Sequence, residues 1–267
     1  MSIVWNLFIL SPMVNVLIWI YDLLFNNFGL AIILFTIVIR LVTFPLTASQ
    51  LKSQKKMQEL NQSKKWQEIQ KKYKDDKQKQ SQEQMALYKE MGINPLGSCL
   101  PLLIQFPIMI GLYQSISLAM AQAPIQLLNL SRDLYSFIPA SLLIPLNSSF
   151  LWLNLGLPES QTPIFNFIIP GTTFGIPVLT IIVVVTTYLQ SKLMTPPPSN
   201  PGDQGAQMSK MMNLYMPILM GWIAWTLSSG LALYFIVSNI LGIAQYAMMG
   251  NLHWNNLMPK RKVASAK

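Results

Sequence analysis

The chain has 267 residues, 52% of them hydrophobic and only 11% charged, which is too apolar for a water-soluble domain of this length. A single cysteine, Cys99, and a single histidine, His253, exclude a disulfide framework, a Cys-rich metal site and any His-based metal or nucleophile cluster. No glycine precedes a lysine, so the phosphate-binding loop signature is missing, and no cofactor is expected.

Residues 1–28 begin with a stretch, Ile3 to Tyr21, that carries no charge. A signal peptide wants a positive start, and none exists before Arg40. Ser11, Asn15, Asp22 and Asn26 fall at spacings of four, seven and four, one polar stripe along an apolar cylinder. That favours an amphipathic helix lying in the outer interface over a sixth span.

The first span is expected at 29–47. Arg40 lies 11 residues into it, about 16 Å from its outer end at 1.5 Å per residue. Placing arginine near a bilayer centre costs roughly 2.5 to 3.5 kcal/mol, and no carboxylate lies in any expected span to pair with it. The guanidinium must therefore snorkel to headgroups or face water in a groove open to the cytoplasm.

Residues 48–96 contain 11 lysines, many glutamines, and no proline or glycine before Gly92, a composition that favours helix. Met57 and Leu60, then Trp66, Ile69 and Tyr73, and later Met85, Tyr88 and Met91, recur at spacings of three and four, with a turn expected over Lys74 to Lys77. The expected element is a cytoplasmic helical hairpin with a thin apolar seam. Its basic face suits RNA phosphate or acidic lipid headgroups.

Further spans are expected at 97–121 and 174–194, separated by an extracytoplasmic loop at 122–173. After a cytoplasmic loop at 195–210, the apolar run from Met211 to Met249 is too long for one crossing. A small-residue break at Ser228, Ser229 and Gly230 divides it into spans at 211–228 and 231–249, leaving a basic tail at 250–267. With the amino terminus outside and the carboxyl terminus inside, 17 of the 19 basic residues are cytoplasmic and only Arg132 falls outside. The expected fold is an all-α integral membrane protein: five transmembrane helices, a preceding interfacial amphipathic helix and a cytoplasmic helical hairpin.

Polar side chains in the spans that would line a groove with Arg40 are Thr36, Gln105, Gln114, Gln190, Ser238, Asn239 and Gln245, the competing role for each being glue between helices. The lack of acidic residues in the spans argues against a proton-coupled carrier or a cation pore. A small transporter or channel with a polar solute path is the competing functional class. An intramembrane protease has neither histidine nor carboxylate pair to work with.

Several stretches together resemble the YidC family of membrane protein insertases: Arg40-Leu41-Val42-Thr43-Phe44-Pro45-Leu46; Lys89 through Asn94-Pro95-Leu96-Gly97 to Cys99-Leu100-Pro101-Leu102-Leu103-Ile104-Gln105 and Pro107; Phe150-Leu151-Trp152; Thr187-Tyr188-Leu189-Gln190; and Gly230-Leu231-Ala232-Leu233-Tyr234-Phe235 with Ser238-Asn239. The matches run in family order along essentially the whole chain. The resemblance implies a protein that inserts nascent membrane proteins into the lipid bilayer, alone or beside the Sec translocon and often from the ribosome, with no sequence-specific nucleic acid. It places Thr36, Arg40, Gln190 and Phe235 at the groove and the substrate-contacting slide, with Tyr234 the slide's aromatic neighbour. It also implies a minimal, core-only member of a bacterial plasma membrane, before a thylakoid. Arg40 would guide substrates electrostatically, so no enzymatic chemistry is expected.

Overall fold

The computed structural model describes residues 3–73, 76–92, 100–120, 128, 130, 134–136, 138, 146–161, 165–169, 172–195 and 204–256. Cys99, the Asn94 to Gly97 run, Lys74, Asp75, Arg132, Asp133, the proline-rich loop Pro196 to Pro201 and the basic tail beyond residue 256 lie outside these.

The described chain is mainly helical. Helix α1 runs over Ile3–Leu23, with a π turn at Asn6–Leu10. Phe25 and Asn26, both at positive φ, turn the chain into α2, Phe28–Val42, which the Asn27 side chain caps by accepting from Leu30 N. Next come α3, Phe44–Gln62; α4, Lys64–Lys72; α5, Lys77–Glu90; and α6, Leu100–Ala119. Two antiparallel hairpins follow: β1, Ser149–Phe150, with β2, Leu153–Asn154, and β3, Phe165–Ile169, with β4, Thr172–Ile176. The last helices are α7, Val178–Met194; α8, Gln204–Thr226; and α9, Ser229–Met248.

Helix α9 is the hub. It packs on α2, α6, α7 and α8, and it buries Leu231, Ala232, Tyr234, Phe235, Ser238, Asn239, Gly242, Gln245 and Tyr246. The outward faces of α7 and α8 carry exposed Ile181, Val185, Leu214, Ile218 and Trp222. An apolar belt of this kind is suited to lipid. By length and composition, Ile3–Leu23 and Ser229–Met248 are apolar enough to cross a membrane, as is the bent pair Phe28–Val42 with Phe44–Ser53 if counted as one span; Val178–Met194 is apolar but shorter.

Four features differ from expectation. The chain is not strictly all-α: four short strands occupy the 122–173 connection and its border, and residues 174–176, expected to begin a span, are strand. The expected first span breaks at Thr43, bending by 53°, because Pro45 has no N–H to return to the Leu41 carbonyl. Helix α3 then runs straight through the expected 47/48 boundary, since its lysines and glutamines sustain helix where they no longer sustain burial. The polar stripe on α1 also divides. Asn15 is 1% exposed, donating to Ser11 O and accepting from Tyr135 N at 2.7 Å each, while Asp22 and Asn26 are exposed.

Helix α1 packs against α6 and the connection that follows it. Trp5 Nε1 donates to Gln114 Oε1 at 2.8 Å, and Ile9 and Met13 lie against Gly111. Tyr21 Oη accepts from Asn147 N in the connection after α6. Residues 5 to 13 thus pack against α6 at Gly111 and Gln114.

The end of α3 together with α4 and α5 forms a small core of Leu60, Trp66, Leu87 and Tyr88, with Ile69 against it, separate from the main core. Ser63 caps α4 and Asp76 caps α5 through their side chains, and Lys65 pairs with Glu90 at 3.1 Å. Met85 and Met91, expected in this seam, are exposed; Leu87 takes their place.

Candidate functional site around Arg40

Arg40 occupies the last turn of α2, just before the bend, and its side chain crosses to α9. Nε donates to Ser238 Oγ at 3.1 Å, and Nη2 donates to the hydroxyl at 2.6 Å and to the Ser238 backbone carbonyl at 2.7 Å. That carbonyl is reachable because the next turn of α9 presents Gly242: a β-carbon there would stand 3.4 Å from Arg40 Nη2 and 2.5 Å from Gln190 Nε2. Gly242 therefore forms a notch on which the Arg40 guanidinium from α2 and the Gln190 amide from α7 converge. Gln245, one turn further on, donates from Nε2 to the Arg40 carbonyl at 3.1 Å.

The ion pairs among the described residues are Lys65 with Glu90 and Lys79 with Asp76, so the half-buried Arg40 is met by neutral acceptors. Hydrogen bonds from a charged donor are each worth about 1.5–3 kcal/mol. They hold the group in place without cancelling its charge, and at an effective dielectric of 20 an anion about 4 Å away would gain roughly 4 kcal/mol.

A polar chain leads inward from this point. Tyr234 lies one turn before Ser238 on α9, and Gln105 Nε2 of α6 donates to Tyr234 Oη at 3.0 Å. Three helices are thereby linked through α9. Asn239 faces elsewhere, donating to Thr186 and Thr187 Oγ1 of α7 at 3.1 and 2.9 Å. Thr36 is fully buried, its hydroxyl donating to Ile32 O at 2.6 Å, and Phe235 is buried against Tyr234. Neither lines an open surface. The exposed large apolar side chains of these two helices are Leu30, Val38, Leu41, Val42, Ile240 and Met248. Gln114 is held by Trp5.

Sequence reasoning missed Gly242, although Ser238 and Gly242 form the small-x-x-x-small spacing by which membrane helices approach closely. It also missed Glu159, which is fully buried. Its carboxylate accepts from Leu179 N at 2.7 Å and from Thr180 N and Oγ1 at 2.8 Å, capping α7. Beside it, Leu157 O accepts from Ser229 N and Oγ, and Leu155 O from Gly230 N. This short segment fastens the start of α7 to the α8–α9 turn.

The family model for the 60Kd inner membrane protein matches residues 19–256. The chain belongs to the YidC family of membrane protein insertases. It is 36% identical over 252 residues to membrane protein insertase YidC 2 of Listeria innocua, covering 92% of this chain and 72% of that protein. It is 34% identical over 245 residues to membrane protein insertase MisCA of Bacillus subtilis, covering 90% and 77%. A solved structure described as an active YidC insertase with the first transmembrane domain resolved superposes with a TM-score of 0.54 at 27% identity, covering 87% of this chain and 44% of that one. YidC proteins form an insertase family and not a known enzyme family, and these relatives are bacterial.

Proposed function

We propose that this membrane protein insertase receives the polar end of a nascent membrane protein at Arg40, Gln190 and the Gly242 notch, in a groove open to the cytoplasm, while the client's apolar segment moves into lipid along α2 and α9. The observation that carries this is a guanidinium inside an apolar helix bundle held, among the described residues, by neutral groups alone. Such a charge is anchored yet uncompensated, so an acidic or carbonyl-bearing segment gains by approaching it. The driving term is burial of about 20 apolar client residues in lipid.

In this reading the spans are α2 with the start of α3, then α6, α7, α8 and α9. Helix α1 lies in the outer interface, across α6, and α4 with α5 forms a hairpin on the cytoplasmic side. The lysines of that hairpin meet the ribosome, and the protein works alone or beside the Sec translocon in a bacterial plasma membrane, amino terminus outside.

Photo-crosslinking side chains at Leu41, Ile240 and Gln190 test the reading with ribosome-bound nascent chains bearing one apolar segment. Crosslinks at all three that vanish on chain release support it. Solute flux through empty proteoliposomes without crosslinks would favour a transporter instead.

A further inference from the structure

We propose that Gln245 is a positioning residue for Arg40, fixing the backbone at the α2 bend while the guanidinium exchanges Ser238 for a client; the client half of this rests on the reading of Arg40 above. The bend sits at a weak point. Pro45 removes a rung of the helix ladder at Leu41, immediately after Arg40. The Arg40 carbonyl in that turn accepts from Gln245 Nε2, across 205 residues of sequence.

Ser238 and Gln245 are seven residues apart on α9, two turns along one face, or about 10.5 Å. One helix thus grips Arg40 at both of its ends, the side chain at Ser238 and the backbone at Gln245. Gln245 is buried, so water competes little for its hydrogen bond. Its other amide atom, Oε1, is buried with no hydrogen-bond partner among the described residues, a loss of stability for such a group. A methionine would fill the same space without that loss. What the amide supplies here is its N–H.

The consequence is a division of roles within a single residue. The Arg40 guanidinium can leave Ser238 for a carboxylate or carbonyl without the last turn of α2 following it, so the pull of the client acts on the side chain and is not lost in backbone movement.

The test uses the full chain in proteoliposomes, carrying Gln245→Met or Gln245→Glu, both near-isosteric and both without the N–H donor. Spin labels at exposed Leu30 and Ser49 flank the bend. We expect the distance distribution between them to broaden in both variants. We also expect the ratio of acidic-tailed to neutral-tailed client insertion to fall about threefold or more in Gln245→Met. A wild-type distribution in both variants overturns the grip on the bend. A broadened distribution with equal loss for both client types, or with no change in the ratio, overturns the positioning role. Arg40→Ala run alongside separates the two readings: an unchanged ratio there defeats charge guidance by Arg40, while the spin-label distances still judge Gln245.

Discussion

Arg40 and Ser238, 198 residues apart in sequence, share three hydrogen bonds, one of them to a backbone carbonyl that the lack of a side chain on Gly242 leaves open. The arginine is thereby fixed to the hub helix without an opposite charge. Arg40→Ala is expected to reduce insertion of clients with acidic translocated tails about tenfold, and of neutral-tailed clients several-fold less. Arg40→Lys keeps the charge but loses the planar fork that reaches hydroxyl and carbonyl together, so it is expected to fall between the two. Reconstituted insertion with matched Asp and Asn tails measures this, and equal losses for both tails would remove the guidance role.

Glu159 supplies three hydrogen bonds to the first turn of α7 from a fully buried carboxylate. Glu159→Ala leaves those donors unmet and removes a negative charge from a helix N-terminus, for an expected loss of about 2–3 kcal/mol. Glu159→Gln keeps acceptor capacity but not the charge, and should lose about half as much. Equilibrium unfolding in detergent compares them; a neutral Glu159→Ala would show that the cap is incidental.

Burial pushes the Tyr88 phenol above its ordinary pKa of 10.0, against a smaller opposing effect of the hydrogen bond from Gln84. The folded hairpin favours the neutral phenol, so this contribution is complete below pH about 10 and disappears as the pH climbs through the raised value. The contact between α4 and α5 should therefore loosen in alkali, and Tyr88→Phe should resist. A 5-fluorotryptophan resonance at Trp66, which packs in the same small core, reports the change. Identical alkaline transitions in both proteins would contradict the assignment.

If α1 lies across α6 at the outer end, cysteines placed at Leu7 and Asp22, both exposed, should be labelled by an impermeant maleimide from the same, external face. Labelling of the two from opposite faces would make α1 a span.

The mainly helical, membrane-type character was legible because hydropathy acts over tens of residues. The break between α8 and α9 falls at Leu227 and Ser228, so of the expected turn Ser228 to Gly230 the last two residues already belong to the first turn of α9. Arg40 stood out because an unpaired charge in an apolar helix has few physical resolutions. What remained hidden depends on pairs far apart in sequence. Glu159 meets Thr180 only after an intervening β-hairpin, and nothing local marks it as a cap. Thr36 and Phe235 illustrate a second limit: a hydroxyl or a ring on a membrane helix suits a groove wall and a packing seam equally well by residue type. The bend at Thr43 was written in Pro45, but a hydropathy profile has no term for a missing N–H.

The length of sequence between Arg40 and its partners also bears on how this protein is made. Helix α2 emerges from the ribosome well before α9, so on the proposed arrangement the chain places a guanidinium in the membrane with neither Ser238 nor Gln245 yet made to receive it. A chain truncated before Ser229 would carry that charge unsupported. On that arrangement the insertase is itself a demanding insertion client, with Arg40 sheltered by a pre-existing machine or by lipid headgroups until α9 arrives.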